Sequence, residues 1–438
     1  MAKERILILG AAGKDFHVFN MVYRENSDVD VVAFTATQIM GIAGRKYPPV
    51  LSGELYPNGI DILDEKELVN IIRERNIDTC IFAYSDVTHD TVMNIASVAN
   101  ANGADFKLLS MDKTMLKTDK PVISITAVRT GVGKSQTSRY ITGILKENGL
   151  KVVAMRHPMP YGDLSKQVAQ RFAEYSDLDK YECTIEEREE YEPYIDQGFV
   201  IYSGVDYDKI LRMAEKEADV IIWDGGNNDT PFVKPDLHIV LADPHRVGHE
   251  LMYHPGETNF RSANVIVINK VDSAKAQDVQ TVYDNAKQAN PEAIILKTES
   301  PVTVEDEEAV KGKKVLVIED GPTITHGSMA FGAGMVAAER LGLEVVDPKP
   351  YLVGTIKASF EKYTQLDMAL PALGYSAEQL KELEQVIDSV DCDVVLSATP
   401  IDITRVIKVN KPIVRVRYAS KEVDGTPLAD MVKKIISN

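Results

Sequence analysis

Short apolar runs alternate with amphipathic segments along most of the chain, a pattern that predicts an α/β fold. In the N-terminal part the apolar runs have the length and composition of strands, and the segments between them repeat apolar positions three and four apart, as helices do. The predicted strands cover residues 5–10, 29–36, 79–84 and 106–110, and the predicted helices cover 64–76 and 88–103. We therefore expect a small Rossmann-like N-terminal domain over residues 1–118.

A second series of apolar runs begins at Val122, after a linker-like stretch at 118–121. Each run ends in polar or glycine residues, which is typical of parallel strands that are buried on both faces and present a ligand at their carboxyl ends. The runs cover 122–126, 152–157, 219–226, 237–243, 264–270 and 293–297, and a further run at 313–321 is expected to extend the same sheet. This pattern predicts a nucleotide-binding domain with a mostly parallel sheet over residues 119–300.

The last part of the chain repeats the strand and helix pattern more weakly, with a helix at 377–390 and strands at 393–399 and 412–418. It predicts a C-terminal α/β region over residues 301–438 that packs on the preceding domain. The acidic and aromatic segment 177–196 stands out from the pattern, and we interpret it as a solvated helical excursion, with a subunit contact as one possible role.

Composition narrows the possible functions. The net charge is −17, which repels nucleic acid and anionic membrane, so a polyanionic ligand requires a local cluster of cations. No apolar run reaches the ~20 residues that span a bilayer. Cys80, Cys183 and Cys392 lie far apart and form no C-x-x-C pair, which predicts reduced thiols in a cytoplasmic protein and no zinc or disulfide framework.

The stretch VRTGVGKSQTS at 128–138 lies between a predicted strand and a predicted helix, the context that a Walker A phosphate-binding loop requires. Its backbone N–H groups and the helix N-terminus would converge on the phosphates, Lys134 would bridge the β- and γ-phosphates, and the Ser135 hydroxyl would ligate Mg²⁺. The usual first glycine is replaced by Ala127 or Val128, and Arg129 precedes Gly131 by two residues, where one class of these proteins has an additional lysine. The alternative is a glycine-rich turn without ligand. The predicted nucleotide-binding residues are Thr130, Gly131, Val132, Gly133, Lys134, Ser135 and Gln136.

Two later strand ends add candidate nucleotide contacts. Asp224 follows four apolar residues and is the predicted Walker B carboxylate, which would hold Mg²⁺ together with Ser135. Asn269, Lys270 and Asp272 belong to the motif N-K-V-D directly after a strand, and this motif reads guanine in GTPases. It favours GTP, although an aspartate at an ordinary strand end gives the same pattern.

The loop at 245–254 carries His245, His249 and His254. His245 and His249 are four residues apart and would share a face of a helix, so a metal site is one interpretation of this loop. An anion site, or histidines bonded to the backbone, is the other.

Three more loops lack the periodicity of a core element and carry cations or histidines at expected strand ends. They cover 10–17, 156–164 and the glycine-rich 319–340. For each loop alone, a structural turn without ligand is the alternative, but together they supply a predicted binding site for a second, polyanionic substrate beside the triphosphate. Its residues are Lys14, His17, Arg156, His157 and His326.

In this order, the stretches GAAGKDFH, RTGVGKS, RHPMPYGDL, HPGETNFRSANVIVINKVD and EDGPTITHGSMAFGAG resemble the cyclic 2,3-diphosphoglycerate synthetases of archaea and their bacterial relatives. The resemblance extends to 397–418 and so covers nearly the whole chain. It implies a cytoplasmic homodimer that uses ATP and Mg²⁺ to close 2,3-diphosphoglycerate into an intramolecular pyrophosphate, with release of ADP and phosphate.

Such a reaction would need charge neutralisation more than a protein nucleophile, because the substrate brings about five negative charges to a nucleotide that is itself an anion. The predicted catalytic residues are accordingly Lys134, Arg129 and Asp224. Two other functions remain open at this point: a P-loop GTPase that loads a metal or cofactor into a partner enzyme, and a kinase for a small metabolite. The motif at 269–272 favours GTP, whereas the resemblance implies ATP.

Overall fold

The computed structural model describes residues 2–37, 42–157, 159, 162–226, 229–327, 329–374 and 376–437. It confirms the α/β class, with sheets whose strands pair mostly in parallel. The strands predicted from apolar runs are present, and several begin or end within two residues of the predicted bounds.

The N-terminal domain is a six-stranded sheet in the order β3-β4-β2-β1-β5-β7, parallel except for the edge strand β3. Helices cover the sheet, and apolar side chains on both of its faces form two clusters of buried residues. The elements are β1 (Glu4–Leu9), α1 (Lys14–Val18), β2 (Val29–Ala36), β3 (Lys46–Tyr47), α2 (Pro49–Ser52), β4 (Ile60–Asp64), α3 (Leu68–Glu74), β5 (Thr79–Phe82), β6 (Val87–Thr88), α4 (His89–Ala101) and β7 (Asp105–Leu108).

The central domain is built on a nine-stranded sheet in the order β10-β11-β9-β12-β8-β13-β15-β16-β23. Its inner strands β8, β12 and β13 are mostly apolar and are buried throughout, because both faces of the sheet are covered. The elements are β8 (Val122–Ala127), α5 (Lys134–Glu147), β9 (Val152–Arg156), β10 (Gln170–Phe172), α6 (Tyr175–Lys180), α7 (Ile185–Asp196), β11 (Val200–Ser203), α8 (Tyr207–Ala214), β12 (Val220–Asp224), β13 (Leu237–Ala242), β14 (Tyr253–His254), α9 (Gly256–Ser262), β15 (Val265–Ile268), α10 (Ala276–Ala289) and β16 (Ile294–Glu299).

A third sheet, in which β18 pairs with β19, β20 and β21, forms the core of the C-terminal region. The elements of this region are β17 (Val302–Val304), α11 (Glu307–Val310), β18 (Lys314–Glu319), α12 (Gly321–Ile324), α13 (Ala333–Leu341), β19 (Glu344–Val345), α14 (Gly354–Lys362), β20 (Ala369–Pro371), α15 (Ala377–Ser389), β21 (Val394–Ala398), β22 (Ile413–Tyr418), β23 (Lys421–Glu422) and α16 (Pro427–Ser437).

The structure corrects the expectation that the run at 313–321 extends the central sheet. This run forms β18, the middle of the third sheet, while the edge of β16 is paired with the antiparallel β23. The chain therefore returns to the central domain near its end, where Leu428 and Val432 of α16 join the core beside α5. The last segment of the predicted C-terminal unit 301–438 thus packs on the central domain.

The acidic segment 177–196 is also not a solvated excursion. It forms α6 and α7, and α7 packs on α5 and β11 with Tyr191 and Tyr194 fully buried. Its aromatic side chains provide enough apolar area to dock the helix on the core, which the high proportion of glutamate in the sequence concealed.

Two short strands join the N-terminal and central domains. β6 pairs with β14 in an antiparallel two-stranded sheet, and His89 N–H donates to the Met252 carbonyl at 3.0 Å. This link lies close to the loop that follows β8, so it bears on the candidate site. Among the described residues, none of the helices has the length and apolar character needed to cross a bilayer.

Candidate active site

The loop between β8 and α5 has the geometry that phosphate binding requires. Gly131 and Gly133 have φ angles of 77° and 111°, in the left-handed region that favours glycine. A Cβ at Gly133 would stand 2.1 Å from Asn269 Nδ2, so close approach also demands glycine there. The loop leads directly into the N-terminus of the 14-residue α5, whose first amide groups have no partner within the helix and add partial positive charge.

Lys134 and Asp224 form an ion pair at the end of this loop, with Asp224 at the carboxyl end of β12 only 1% exposed. Burial and the neighbouring guanidinium of Arg156 lower the pKa of Lys134. Burial opposes ionisation of Asp224, but Lys134 and Arg156 outweigh it and lower the pKa of this carboxyl. A phosphate bound at this loop would compete with Asp224 for the ammonium group of Lys134.

Arg156, at the end of β9, connects the ion pair to α7. Its NH2 lies 2.5 Å from Glu190 Oε1, and its NH1 lies 3.6 Å from Asp224 Oδ1. The side chain is buried, and the two carboxylates keep its guanidinium charged. The structure thus brings Lys134, Asp224 and Arg156 together, as the sequence predicted for the first two.

Asn269 and Lys270 brace the phosphate loop from behind. Asn269 Nδ2 donates to the Val132 carbonyl at 2.8 Å, and Lys270 Nζ donates to the Gly131 carbonyl at 2.6 Å. Thr298 Oγ1 in turn donates to Asn269 Oδ1 at 2.8 Å. These bonds hold the carbonyls of Gly131 and Val132 and so fix the conformation of the loop.

Two cavities meet at the loop. The smaller, about 100 Å³, lies over the ion pair and is lined by the loop, the acidic face of α7 and the segment after β18. The larger, about 420 Å³, lies beside it and combines polar residues with an apolar wall that includes Met329, Phe331 and Val336. Gly131, Gly133, Gln136, Asp320, Thr323 and Tyr418 line both.

Asp272 lines the larger cavity together with Lys270 and Ser273. Its Oδ1 accepts from the Ser300 N–H at 2.9 Å, which fixes the carboxylate at the mouth of the cavity. All three residues of the predicted base-reading motif therefore lie at the phosphate loop or at the cavity that adjoins it.

Arg129 is held by the N-terminal domain. Its Nε donates to Asp86 Oδ1 at 2.6 Å, its NH1 lies 2.8 Å from His249 Nδ1, and its guanidinium lies 3.7 Å above the ring of Tyr253. Asp86 also accepts from Thr130 Oγ1 at 2.7 Å. Arg129 lines the smaller cavity, but its strongest contacts serve to join two domains at the phosphate loop.

The histidines of the loop 245–254 have separate partners. His245 contacts Ser273, His249 contacts Arg129, and His254 packs edge-on against Phe82. Within the described ranges, no three histidine, cysteine or acidic side chains are placed to hold a metal ion. The geometry therefore favours the interpretation in which these histidines organise a structured loop.

The remaining predicted substrate residues lie outside the two cavities. Lys14 Nζ donates to Thr230 Oγ1 at 3.0 Å, and His157 Nδ1 lies 3.2 Å from Asp229 Oδ2, in a buried cluster between the first two domains. His326 contacts the hydroxyl of Tyr363 at 3.1 Å. Part of the loop at 156–164, namely residues 158, 160 and 161, lies outside the described residues.

The structure corrects the expectation for His17. Its ring stacks on Phe232 with centroids 4.1 Å apart, and its Nε2 lies 2.6 Å from the Thr114 carbonyl. Burial lowers the pKa of His17 to about 4, so it is a neutral core histidine. A strand-end position alone does not show which way a side chain faces.

Four site residues escaped the sequence analysis. Glu186, Glu189 and Glu190 of α7 and Asp320 after β18 line the smaller cavity. The spacing of the three glutamates places them on adjacent turns of one helix face, but a run of glutamates usually indicates a solvated face. The buried tyrosines of the same helix are the signal that would have reversed this interpretation.

The similarity to one relative shows the family of this chain. The chain is 59% identical over 437 residues to the arginine synthetase ArcE of Thermococcus kodakarensis, an alignment that spans 100% of this chain and 98% of that protein. The chain belongs to this synthetase family. A scan against protein-family models finds no match. The name of the relative differs from that of the diphosphoglycerate synthetases to which the motifs are similar.

Solved structures show weaker likenesses. LpxK of Aquifex aeolicus, crystallised with ATP, is 14% identical with a TM-score of 0.47, over 79% of this chain and 96% of that chain. A ParA family ATPase of Chlorobium tepidum is 14% identical with a TM-score of 0.27, over 43% of this chain and 86% of that chain. At these values neither likeness carries an argument about this chain.

Proposed function

We propose that the protein is an ATP-dependent synthetase that builds the guanidino group of arginine by phosphoryl activation of an ureido oxygen. One observation carries the proposal: the loop with phosphate-binding geometry and the acidic side of α7 line the same cavity. Phosphate and a nitrogen-rich substrate would meet there. The name of the 59% identical relative supplies the product.

The chemistry follows from the structure of arginine. Its guanidino carbon has the oxidation state of urea, so the matching acceptor is the ureido amino acid citrulline. The ureido oxygen would attack the γ-phosphorus, and the bond to ADP would break. Ammonia would then form a C–N bond to the same carbon, and the C–O bond would break, so that phosphate leaves with the former ureido oxygen.

The residues of the loop have defined tasks in this reaction. The amides of the loop and the N-terminus of α5 would hold the β- and γ-phosphates, and Lys134 would leave Asp224 to neutralise the transferring group. Ser135 and Asp224 would hold Mg²⁺, whose charge offsets that of the phosphates. Arg156, fixed by Glu190, would remain at the acceptor side.

The larger cavity suits the base and ribose. Phe331 offers an exposed aromatic face for stacking on a purine, and Asp272 stands at the mouth. ATP is the proposed nucleotide, and GTP is the alternative that the motif at 269–272 keeps open. The test therefore compares the activity with ATP and with GTP.

The cyclisation of 2,3-diphosphoglycerate, which the sequence resemblance implies, has less support from the cavity. Four carboxyl groups, those of Glu186, Glu189, Glu190 and Asp320, line it, and they would repel a substrate with about five negative charges. A GTPase switch would leave these carboxyl groups without a role. The cytoplasmic location and the homodimer stay predictions of the sequence.

The test follows phosphorus by ³¹P NMR. The protein is incubated with ATP, Mg²⁺, ammonium chloride and citrulline labelled with ¹⁸O in the ureido group. The proposal expects arginine and ADP in equal amounts, with the label in the released phosphate. Parallel incubations replace ATP by GTP, ammonium by glutamine, or citrulline by 2,3-diphosphoglycerate.

Two results would overturn the proposal. One is a new pair of coupled pyrophosphate signals with 2,3-diphosphoglycerate and no arginine from any mixture. The other is hydrolysis of nucleotide at a rate that citrulline and ammonium do not change.

A further inference from the structure

The geometry points to Glu189 and Asp320 as a binding site for the cationic nitrogen group of the reaction, ammonium on entry and guanidinium on exit. We call these two residues the carboxyl pair. The inference rests on the proposed function for the identity of the cation, but the site itself is argued from contacts in this chain.

The carboxyl pair stands on two different elements that close over the phosphate loop. Glu189 lies in the middle of α7, and Asp320 follows β18 directly. Both line the smaller cavity, which Lys134 and Ser135 also line. Asp320 Oδ2 accepts from Thr323 Oγ1 at 2.5 Å, which fixes its orientation.

Glu189 is only 3% exposed, and neither of its carboxyl oxygens accepts a hydrogen bond from a residue that the structure describes. A buried carboxylate without a hydrogen-bond donor is destabilised, because it has lost its hydration and gained no partner in exchange. Glu189 lines the smaller cavity, so a cation that enters this cavity could supply the missing donors.

The cations of the cavity are already paired with other carboxylates. Each forms an ion pair with a carboxylate outside the carboxyl pair. The pairs are Arg156 with Glu190, Lys134 with Asp224, and Arg129 with Asp86.

The electrostatics of the carboxyl pair favour the binding of a cation. Burial raises the pKa of Glu189 well above its usual value, and the neighbouring charges of Asp320, Glu186 and Glu190 raise it further. Burial likewise raises the pKa of Asp320 to about 6, although the bond from Thr323 lowers it. The two carboxyls would share a proton when no cation is bound, and a bound cation would replace that proton.

A nitrogen cation with several N–H donors fits two adjacent carboxyls. A guanidinium presents its donors in a planar fork, and ammonium has donors in every direction. When ammonium binds, one ionised carboxyl of the pair would accept its proton, and the lone pair that is released on nitrogen would form the C–N bond. The product guanidinium, which is itself a cation, would leave from the same place.

The test uses the full-length protein with the variants E189Q and D320N, which keep the size of each side chain. The matched control is E182Q, an exposed glutamate just before α7. We expect the KM for ammonium chloride to rise about tenfold or more in both variants, as for loss of a charge-assisted hydrogen bond, while the KM for ATP changes less than about twofold. E182Q should leave both constants unchanged.

A binding measurement keeps this inference separate from the proposed function. Titration of arginine or methylguanidinium into protein with bound Mg²⁺ and ADP is expected to give an affinity about tenfold weaker in E189Q than in the unaltered chain. This result supports the carboxyl pair even if citrulline proves not to be the acceptor. The inference is overturned if folded E189Q and D320N keep the ammonium KM, or the guanidinium affinity, of the unaltered chain.

Discussion

Tyr194 donates its phenolic proton to Asp224 Oδ2 at 2.7 Å, and both side chains are buried. Tyr194 belongs to α7 and Asp224 to the end of β12, so the hydrogen bond ties the acidic helix to the carboxylate that faces the phosphate loop. This bond therefore fixes the position of α7, which carries the proposed substrate contacts, relative to the phosphate loop.

Replacing Tyr194 by phenylalanine tests this tie. Y194F leaves a buried acceptor without its donor, so we expect the free energy of unfolding to fall by about 1–2 kcal/mol and kcat to fall several-fold. Y191F is the matched control, since Tyr191 lies on the same helix and donates to Ser203 at 2.9 Å without touching Asp224. A comparable loss of kcat in Y191F would show that helix packing, and not the bond to Asp224, sets the rate.

Lys134 is expected to be indispensable for turnover. K134A removes the charge that would neutralise the transferring phosphoryl group, and activity should fall below about a tenth of that of the unaltered protein while the circular dichroism spectrum is unchanged. K146A is the control on the same helix, because Lys146 lies in its last turn, donates to the Gln197 carbonyl and lies over the ring of Phe199. Higher residual activity in folded K134A would contradict the assignment of phosphoryl transfer to this loop.

The close approach at Gly133 provides a steric test. In G133A the new methyl group would collide with Asn269 Nδ2, displace a brace of the loop and raise the KM for nucleotide by about tenfold or more. Gly149 also has a positive φ, of 75°, but a Cβ there meets no atom within 4 Å. G149A therefore carries the backbone strain without the collision, and its KM should be unchanged.

Asp86 connects the N-terminal domain to the phosphate loop. In D86N the buried guanidinium of Arg129 loses its counter-charge, so we expect a loss of about 3 kcal/mol in the free energy of unfolding and weaker nucleotide binding. D28N changes an exposed aspartate of the same domain and should have neither effect. Urea denaturation and nucleotide titration measure the two quantities.

Glu319 predicts a dependence of stability on pH. Burial raises its pKa to about 7, although its bonds from the N–H groups of Gly332, Gly334 and Met335 lower it. Because the folded carboxyl holds its proton more tightly than the unfolded one, its contribution to stability is full below about pH 4.5 and is lost as the pH rises through about 7.

E319Q lacks this titrating group, so its free energy of unfolding should not show the loss. Between pH 4.5 and pH 8, the difference in free energy of unfolding between E319Q and the unaltered chain should change in favour of E319Q by on the order of 2 kcal/mol. E344Q, at an exposed position of the same domain, should show no such gain. Parallel curves for E319Q and the unaltered chain would contradict the assigned pKa.

The apolar periodicity was sufficient to predict the strands and the phosphate loop, because buried strands and a glycine-rich turn before a helix leave local signals. It did not predict sheet membership. β18 is an apolar run like the strands of the central sheet, but it pairs with β19, β20 and β21, and β23 occupies the edge of β16. That pairing joins residues more than a hundred positions apart, which local patterns do not encode.

The candidate site shows the same division. Lys134 and Asp224 follow recognisable loops, whereas Glu189 depends on how α7 docks. Its charge suggested solvent, and only the packing of Tyr191 and Tyr194 turns that helix face inward. His17 is the converse case, because a polar residue beside a glycine loop proved to be stacked in the core.

The return of β23 and α16 to the central domain has a consequence for biosynthesis. Leu428 and Val432 fill part of the core beneath α5, the helix that begins at the nucleotide loop. A growing polypeptide lacks this support until the residues of β23 and α16 have been synthesised. Chains that stop before β23 should therefore hold α5 and its loop less firmly and bind nucleotide more weakly.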